Sequence, residues 1–254
     1  MSRIIESLKN FFSSKKKRYI NAVMDVLSKN SYVILDQINT KLSLEERYEI
    51  IESLIKSSKL DGFIIKGKHI YFLSIPNNLV KQIRESLKST GRISLQELNE
   101  KLQFKGFLFN AALQRIEKGY VGKRYYYSRD YIRKYISDKL NKVKDTFEIR
   151  KISEEVEIEE ETIISIIMKL IEHKELSGLI RNEKEYITTE YFEKLLTEQL
   201  DELFEKLDEI SFKELSQRLG VKEEELEPFL VKILEANPLK YTLYPLEKRL
   251  CFKK

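Results

Sequence analysis

Residues 43–73 read SLEERYEIIESLIKSSKLDGFIIKGKHIYFL, and the rest of the chain repeats their pattern with variations. Leu44, Tyr48, Ile51, Leu54 and Ile55 stand at i, i+4, i+7, i+10 and i+11. That spacing predicts an α-helix with one apolar face, its other face carrying Glu45, Glu46, Glu49 and Lys56. Ser43 is a good N-cap with Glu46 three residues on, so the helix should run from there to about Lys59. Then the period changes. Leu60, Phe63, Ile64 and Ile65 lead into Lys66-Gly67-Lys68-His69, and Ile70-Tyr71-Phe72-Leu73 follow, which places β-branched and aromatic residues on both sides of a glycine turn.

The upstream sequence supplies the complement. Tyr19–Lys29 has Ile20, Val23, Met24 and Leu27 at helical spacing, Tyr32–Leu35 reads as a short strand, and Asp36–Leu42 reads as a short helix led by Asp36. Helix, strand, helix, helix, hairpin is the winged-helix order. So small a sheet cannot stand alone and must pack on its three helices. The fold class predicted is mainly α with small β-hairpins (α+β), in a tandem array of four winged-helix domains behind an N-terminal amphipathic helix.

At 254 residues, with 34% charged and 42% hydrophobic residues, the chain can fold a core beneath a heavily solvated surface. Eight Gly and four Pro disfavour long disordered linkers. No run reaches the length of a membrane span, and no secretory signal precedes the repeats. The one cysteine, Cys251, excludes an internal disulfide framework and suits a reducing cytoplasm. In a terminal apolar strand it reads as a small core residue rather than a nucleophile. His69 in a turn and His173 at a helix end read as solvated polar residues, so neither a metal nor a cofactor is expected. Charge is uneven: residues 151–254 hold 16 Lys and Arg against 25 Asp and Glu, net −9, leaving 30 against 16, net +14, for residues 1–150.

Residues 1–18, MSRIIESLKNFFSSKKKR, carry Ile4, Ile5, Leu8, Phe11 and Phe12 as a stripe at i, i+1, i+4, i+7 and i+8, followed by Lys15-Lys16-Lys17-Arg18. As a helix this segment can dock on the first unit's core, bind a partner as helix-in-groove, or lie on an anionic membrane. The first unit runs 19–75. The second, 76–127, starts at Pro76, with Arg92–Leu95 as strand, Leu95–Leu102 capped by Ser94, Phe107–Lys118 as third helix and a wing from Tyr120 to Tyr127. The third, 128–189, has Phe147–Lys151 as strand, Ile152–Ile158 and Glu160–Lys174 as helices, and a hairpin of Leu176–Ile180 with Tyr186–Thr188. The fourth, 190–254, passes through Ile210-Ser211-Phe212 and Glu223–Glu235 to strands Tyr241–Tyr244 and Arg249–Phe252. Val33-Ile34-Leu35 with Ile38, Ile93-Ser94-Leu95 with Leu98, and Ile210-Ser211-Phe212 with Leu215 share one spacing.

A winged helix that reads DNA inserts its third helix into the major groove. Here these helices open with Glu45-Glu46, Glu159-Glu160-Glu161 and Glu223-Glu224-Glu225. Carboxylates suit a helix N-terminus and oppose a phosphate-lined groove. Three of four candidate recognition helices therefore argue against nucleic acid. The second unit is the exception: Phe104-Lys105-Gly106-Phe107-Leu108-Phe109 opens its third helix, and its wing has Lys123, Arg124 and Tyr125–Tyr127. These aromatics either stack on single-stranded bases or pack between neighbouring units.

With the repeats laid out, the chain resembles the N-terminal tandem winged-helix region of the ligase that attaches the ubiquitin-fold modifier, and the winged helix of its DDRGK-domain adaptor. The residues that carry this are Val33-Ile34-Leu35, Leu60-Asp61-Gly62-Phe63-Ile64, the wing Gly67-Lys68-His69-Ile70-Tyr71, Gly91-Arg92-Ile93-Ser94, Tyr131-Ile132-Arg133-Lys134 and Leu170–Gly178. The literal DDRGK string, the ligase's long helical C-terminal half and the adaptor's membrane anchor are not in the sequence. The resemblance implies a scaffold-type E3 ligase, or ligase core, of the ufmylation type. Its implied partners are an E2-type conjugating enzyme, a ubiquitin-like modifier and a DDRGK-type adaptor. It also implies that Ile4, Ile5, Leu8, Phe11 and Phe12, which sit where the ligase carries a helix that engages the conjugating enzyme, form the enzyme-docking face, with no catalytic residue of the chain's own. Two other classes stay open: a nucleic-acid-associated transcription subunit, and a subunit of a membrane-remodelling assembly.

Overall fold

The computed structural model describes residues 14–238 and 240–253, which fall into two compact units divided between Arg129 and Asp130. Among the described residues there are eleven α-helices, two 3-10 turns and twelve strands. The strands form four separate three-stranded antiparallel sheets, two in each unit. The architecture is mixed α and β, as the sequence predicts.

In the first unit, the first repeat comprises α1 (Ser14–Leu27), β1 (Tyr32–Ile34), a 3-10 turn (Leu35–Gln37), α2 (Leu44–Lys56), β2 (Gly62–Lys66) and β3 (Ile70–Ser74). Strand β1 lies beside β3, with Val33 opposite Phe72, and β2 pairs with the other edge of β3, so β3 is central. Tyr19, Ile20, Val33, Ile51, Leu54 and Phe72 are buried together. Lys15-Lys16-Lys17-Arg18 belong to the same helix as Tyr19. Helix α2 starts at a reciprocal capping box: the Glu46 N–H donates to Ser43 Oγ at 3.2 Å and the Ser43 N–H to Glu46 Oε2 at 2.7 Å. It ends at Lys56, short of Lys59, because Ser58 adopts a left-handed φ of 54°. The buried face centres on Ile50, Ile51 and Leu54, so Leu44 in the first turn overhangs the core and is 44% exposed.

One predicted element is absent. In place of a short helix over Asp36–Leu42 there is the single 3-10 turn, and the carbonyls that a helix would satisfy bond instead to one guanidinium. Arg47 donates to the carbonyl oxygens of Leu42 at 3.0 Å, Asp36 at 3.1 Å and Leu35 at 3.2 Å.

The second repeat has α3 (Asn77–Thr90), β4 (Arg92–Ser94), α4 (Leu95–Leu102), α5 (Phe107–Ile116), β5 (Gly119–Val121) and β6 (Tyr125–Ser128). Ser94 sits at the N-cap of α4 without a side-chain cap bond. Tyr71, Leu73 and Ile75 of the first repeat share one core with Val80, Leu113 and Tyr126 of the second.

The third repeat, which enters the second unit at Asp130, has α6 (Arg129–Leu140), β7 (Thr146–Glu148), α7 (Ile149–Val156), α8 (Glu160–Glu172), β8 (Gly178–Arg181) and β9 (Glu185–Thr188). Its strand stops earlier than the predicted Phe147–Lys151, because Ile149, Ile152 and Val156 recur at helical spacing and are all buried by one face of α7. The fourth has α9 (Thr189–Phe204), β10 (Glu209–Ser211), α10 (Phe212–Leu219), α11 (Glu223–Ala236), β11 (Tyr241–Tyr244), a 3-10 turn (Pro245–Glu247) and β12 (Arg249–Phe252). Leu179 and Ile187 of the third repeat enter the same core as Phe192, Leu226 and Leu250 of the fourth.

Three repeats share one packing device. Gly62, Gly119 and Gly178 each open the second strand, and a Cβ there would lie 2.0, 2.2 and 2.4 Å from the carbonyl oxygen of Leu73, Tyr127 and Ile187. The missing side chain makes room for the ring of Phe72, Tyr126 or Tyr186. The fourth repeat exchanges the two sizes, with Tyr241 at the glycine's register position and Leu250 at the ring's.

Candidate functional site

Helix α8 is apolar on two sides, which is more than one core needs. Ile163, Ile166, Ile167 and Leu170 are buried on the inner side. Ile164, Met168 and Ile171 form an outer row at i, i+4 and i+7, and Met168 is 46% exposed. The row faces a groove of about 540 Å3 floored by Gly178, Leu179 and Ile180 of β8 and walled by the α10–α11 turn, Gly220 to Lys222.

The groove is held open by backbone chemistry. The Asn182 N–H donates to the Gly220 carbonyl oxygen at 2.7 Å, joining the third repeat's hairpin turn to the fourth repeat. Gly220 ends α10 with a left-handed φ of 70°, and a Cβ there would meet the Asn182 side chain at 2.2 Å. Glu161, Glu172, Glu183 and Glu225 line the rim against the single cation Lys222. The site is therefore an apolar slot with a net negative border.

The other third helices offer different surfaces. Helix α2 turns Glu45, Glu46, Glu49 and Lys56 to solvent. The second repeat spends its aromatic residues on packing: Phe104 ahead of α5, Phe109 within it and Tyr126 and Tyr127 of β6 are buried, and the 55%-exposed Phe107 sits edge-on to Tyr71 at 5.2 Å between ring centres. Tyr125 lies under the Arg92 guanidinium at 4.7 Å. Most of the stacking platform that the sequence offered is thus consumed inside the first unit. At the acidic helix starts, Glu45, Glu46, Glu159, Glu161 and Glu224 are exposed, while Glu223 is half-buried with the Lys248 ammonium 3.3 Å away.

No nucleophile is set up at Cys251. Its half-buried thiol donates weakly to Glu209 Oε2 at 3.6 Å, and burial followed by that carboxylate pushes its pKa up, which keeps the sulfur protonated. His69 is not simply solvated, as the sequence had suggested. Its Nδ1 lies 2.6 Å from Asp36 Oδ2, and Asp36 Oδ1 accepts the Ile70 N–H at 3.1 Å. Asp36 loses some hydration, and the His69 and Ile70 bonds outweigh that loss, holding its carboxyl below its ordinary 3.8. His173 is exposed beside Arg133. Among the described residues no group of three or more His, Cys, Asp or Glu could hold a metal, and no helix is long and apolar enough to cross a membrane.

Ile4, Ile5, Leu8, Phe11 and Phe12, the predicted docking face, lie outside the described residues. The groove on α8 is the feature that sequence reading missed. Its signal was present in Ile163-Ile164 and Ile166-Ile167-Met168, a run too apolar for a helix with one buried side.

The family model of E3 UFM1-protein ligase 1 matches residues 74–226, well over half of the chain. The chain belongs to this family. The stretch matched to E3 UFM1-protein ligase 1 contains α8, β8 and the Gly220–Lys222 wall, so the groove lies wholly within it. No curated protein matches the chain. A crystal structure of the bacterial selenocysteine-specific elongation factor EF-Sec aligns over 95% of this chain and 41% of that one, at 17% identity and a TM-score of 0.36. This chain thus spans less than half the length of that protein, and so loose a likeness carries no argument about function.

Proposed function

We propose that the chain is a scaffold-type E3 ligase, or ligase core, for a ubiquitin-like modifier of the ufmylation type. The family match over residues 74–226 carries this reading. The four helix–strand–helix–hairpin repeats are winged-helix modules at 19–75, 76–127, 128–189 and 190–254, in which the exposed glutamates at the third helices oppose duplex binding and favour contact with polypeptides. The chain acts by holding a charged E2-type conjugating enzyme in the cytoplasm. A substrate lysine amine attacks the thioester carbonyl, an isopeptide bond forms, and the enzyme's cysteine leaves as thiolate.

The scaffold's contribution is proximity and orientation, which can lower such a barrier by several kcal/mol without a nucleophile of its own. That role suits a chain whose one thiol is kept protonated. Ile4, Ile5, Leu8, Phe11 and Phe12 dock the conjugating enzyme, and Lys15-Lys16-Lys17-Arg18 steer an acidic partner toward them. A DDRGK-type adaptor is a further partner implied by the first repeat's wing. In a pull-down with the conjugating enzyme, Leu8→Ala with Phe12→Ala should abolish capture; undiminished capture removes the assignment of this face.

A further inference from the structure

We infer that the groove on α8 is a second docking site, separate from residues 1–18, and that its occupant is a basic amphipathic helix of a partner protein. Ile164, Met168 and Ile171 form a ridge one helix can pack against, spanning seven residue steps or about 10 Å at 1.5 Å per residue. An exposed methionine in the middle of that ridge is an adaptable contact that fits irregular apolar side chains. Nothing in the interior requires this row, because the opposite side of α8 already supplies the core.

The border selects the partner's charge. Four carboxylates against one ammonium repel acidic peptides, anionic lipid surfaces and nucleic acid, and attract lysine or arginine flanking an apolar stripe. The walls favour a helix over an added strand. Strand β8 is at the edge of its sheet, but the Asn182–Gly220 hydrogen bond ties its far end to the fourth repeat, so a strand could not continue past that point.

The test uses the full chain and three labelled peptides of about fourteen residues, roughly 20 Å of helix. One has leucines at i, i+4, i+7 and i+11 among lysines, the second replaces the lysines by glutamates, and the third is the lysine peptide with a central proline. Affinity is read by fluorescence anisotropy, and the site by methyl NMR, since the chain has only three methionines and Met168 is one of them. The lysine peptide should bind at least about ten-fold more tightly than either control, more weakly as salt rises, and should shift the Met168 methyl resonance.

Met168→Glu should weaken binding at least about ten-fold with an unchanged far-UV circular dichroism spectrum, because its side chain is already exposed. Glu172→Lys with Glu183→Lys should invert the preference toward the glutamate peptide. Absence of binding, equal affinity for lysine and glutamate peptides, full binding by the proline peptide, or indifference to Met168→Glu overturns the inference. Self-association of the chain that Met168→Glu abolishes also overturns it and assigns the groove to a second copy. Each readout is independent of residues 1–18, so loss of conjugating-enzyme capture and loss of peptide binding are separable.

Discussion

The first and third repeats are built on the same interior and turn different faces outward. Helices α2 and α8 occupy the same place in the element order, each followed by a hairpin that opens on a glycine under an aromatic ring. Inside, Ile51 and Leu54 in one repeat stand at the same helix positions as Ile167 and Leu170 in the other, all nearly inaccessible to solvent. Outside, the row that is Ile164, Met168 and Ile171 on α8 is Tyr48, Glu52 and Ile55 on α2, so that α2 has a carboxylate, paired with Lys56 at 3.2 Å, where α8 exposes a methionine. A repeated fold can thus keep its core fixed and present a different surface on one exposed helix face, since only the buried half of each helix is constrained by packing.

If the interiors are equivalent, damage to them should cost the same in both repeats. The largest effect is expected for Gly62→Ala and Gly178→Ala, each about 4 kcal/mol by chemical denaturation, because the new methyl would overlap a carbonyl oxygen and a ring that the strand ladder fixes in place. A mild effect in one repeat alone would break the equivalence. Next come Ile51→Ala and Ile167→Ala, each leaving a cavity worth about 3 kcal/mol at a fully buried site. Unequal costs here would show that one core collapses around the gap more readily.

The helix starts should differ. Ser43→Ala removes a reciprocal cap and should cost about 1 kcal/mol, while Glu159→Ala at the start of α8, where no side-chain cap bond exists, should change stability by less than about 0.5 kcal/mol. The smallest difference is in pH dependence. Asp36 ties the first repeat's wing to its 3-10 turn, and its folded pKa lies below the unfolded value. Its contribution is therefore present above the ordinary carboxylate range and is lost as pH falls from about 4 through the folded value. Asp36→Asn should be less stable than the parent at pH 6 by a margin that shrinks below about pH 4; a margin that grows on acidification would contradict this.

The repeat plan was legible because helical and alternating spacings switch at Ser43, Gly62 and their counterparts, and because caps and glycines are local signals. The misreadings have local causes too. Ile149 looked like strand because it is β-branched, and tertiary burial with Ile152 and Val156 placed it in a helix instead. Asp36 looked like an N-cap, yet its carboxylate is engaged by His69, thirty-three residues away, a pairing that no window of sequence reveals. The groove was legible only as an excess of apolar residues in α8, and its shape was hidden for the same reason. Ile164, Met168 and Ile171 count as outward only once the sheet has claimed the other side of α8, and the far wall comes from Gly220 in another repeat.

The central claim is that this chain promotes transfer by holding a loaded conjugating enzyme, without forming a covalent intermediate. It is tested most directly by single-turnover discharge of the modifier from the charged enzyme to free lysine, with and without the full chain. Discharge should accelerate at least about ten-fold, a lowering of the barrier by about 1.4 kcal/mol, remain unchanged with Cys251→Ser, and fall to the basal rate with Leu8→Ala and Phe12→Ala together. No acceleration by the parent chain, or acceleration that Cys251→Ser abolishes, would contradict the claim.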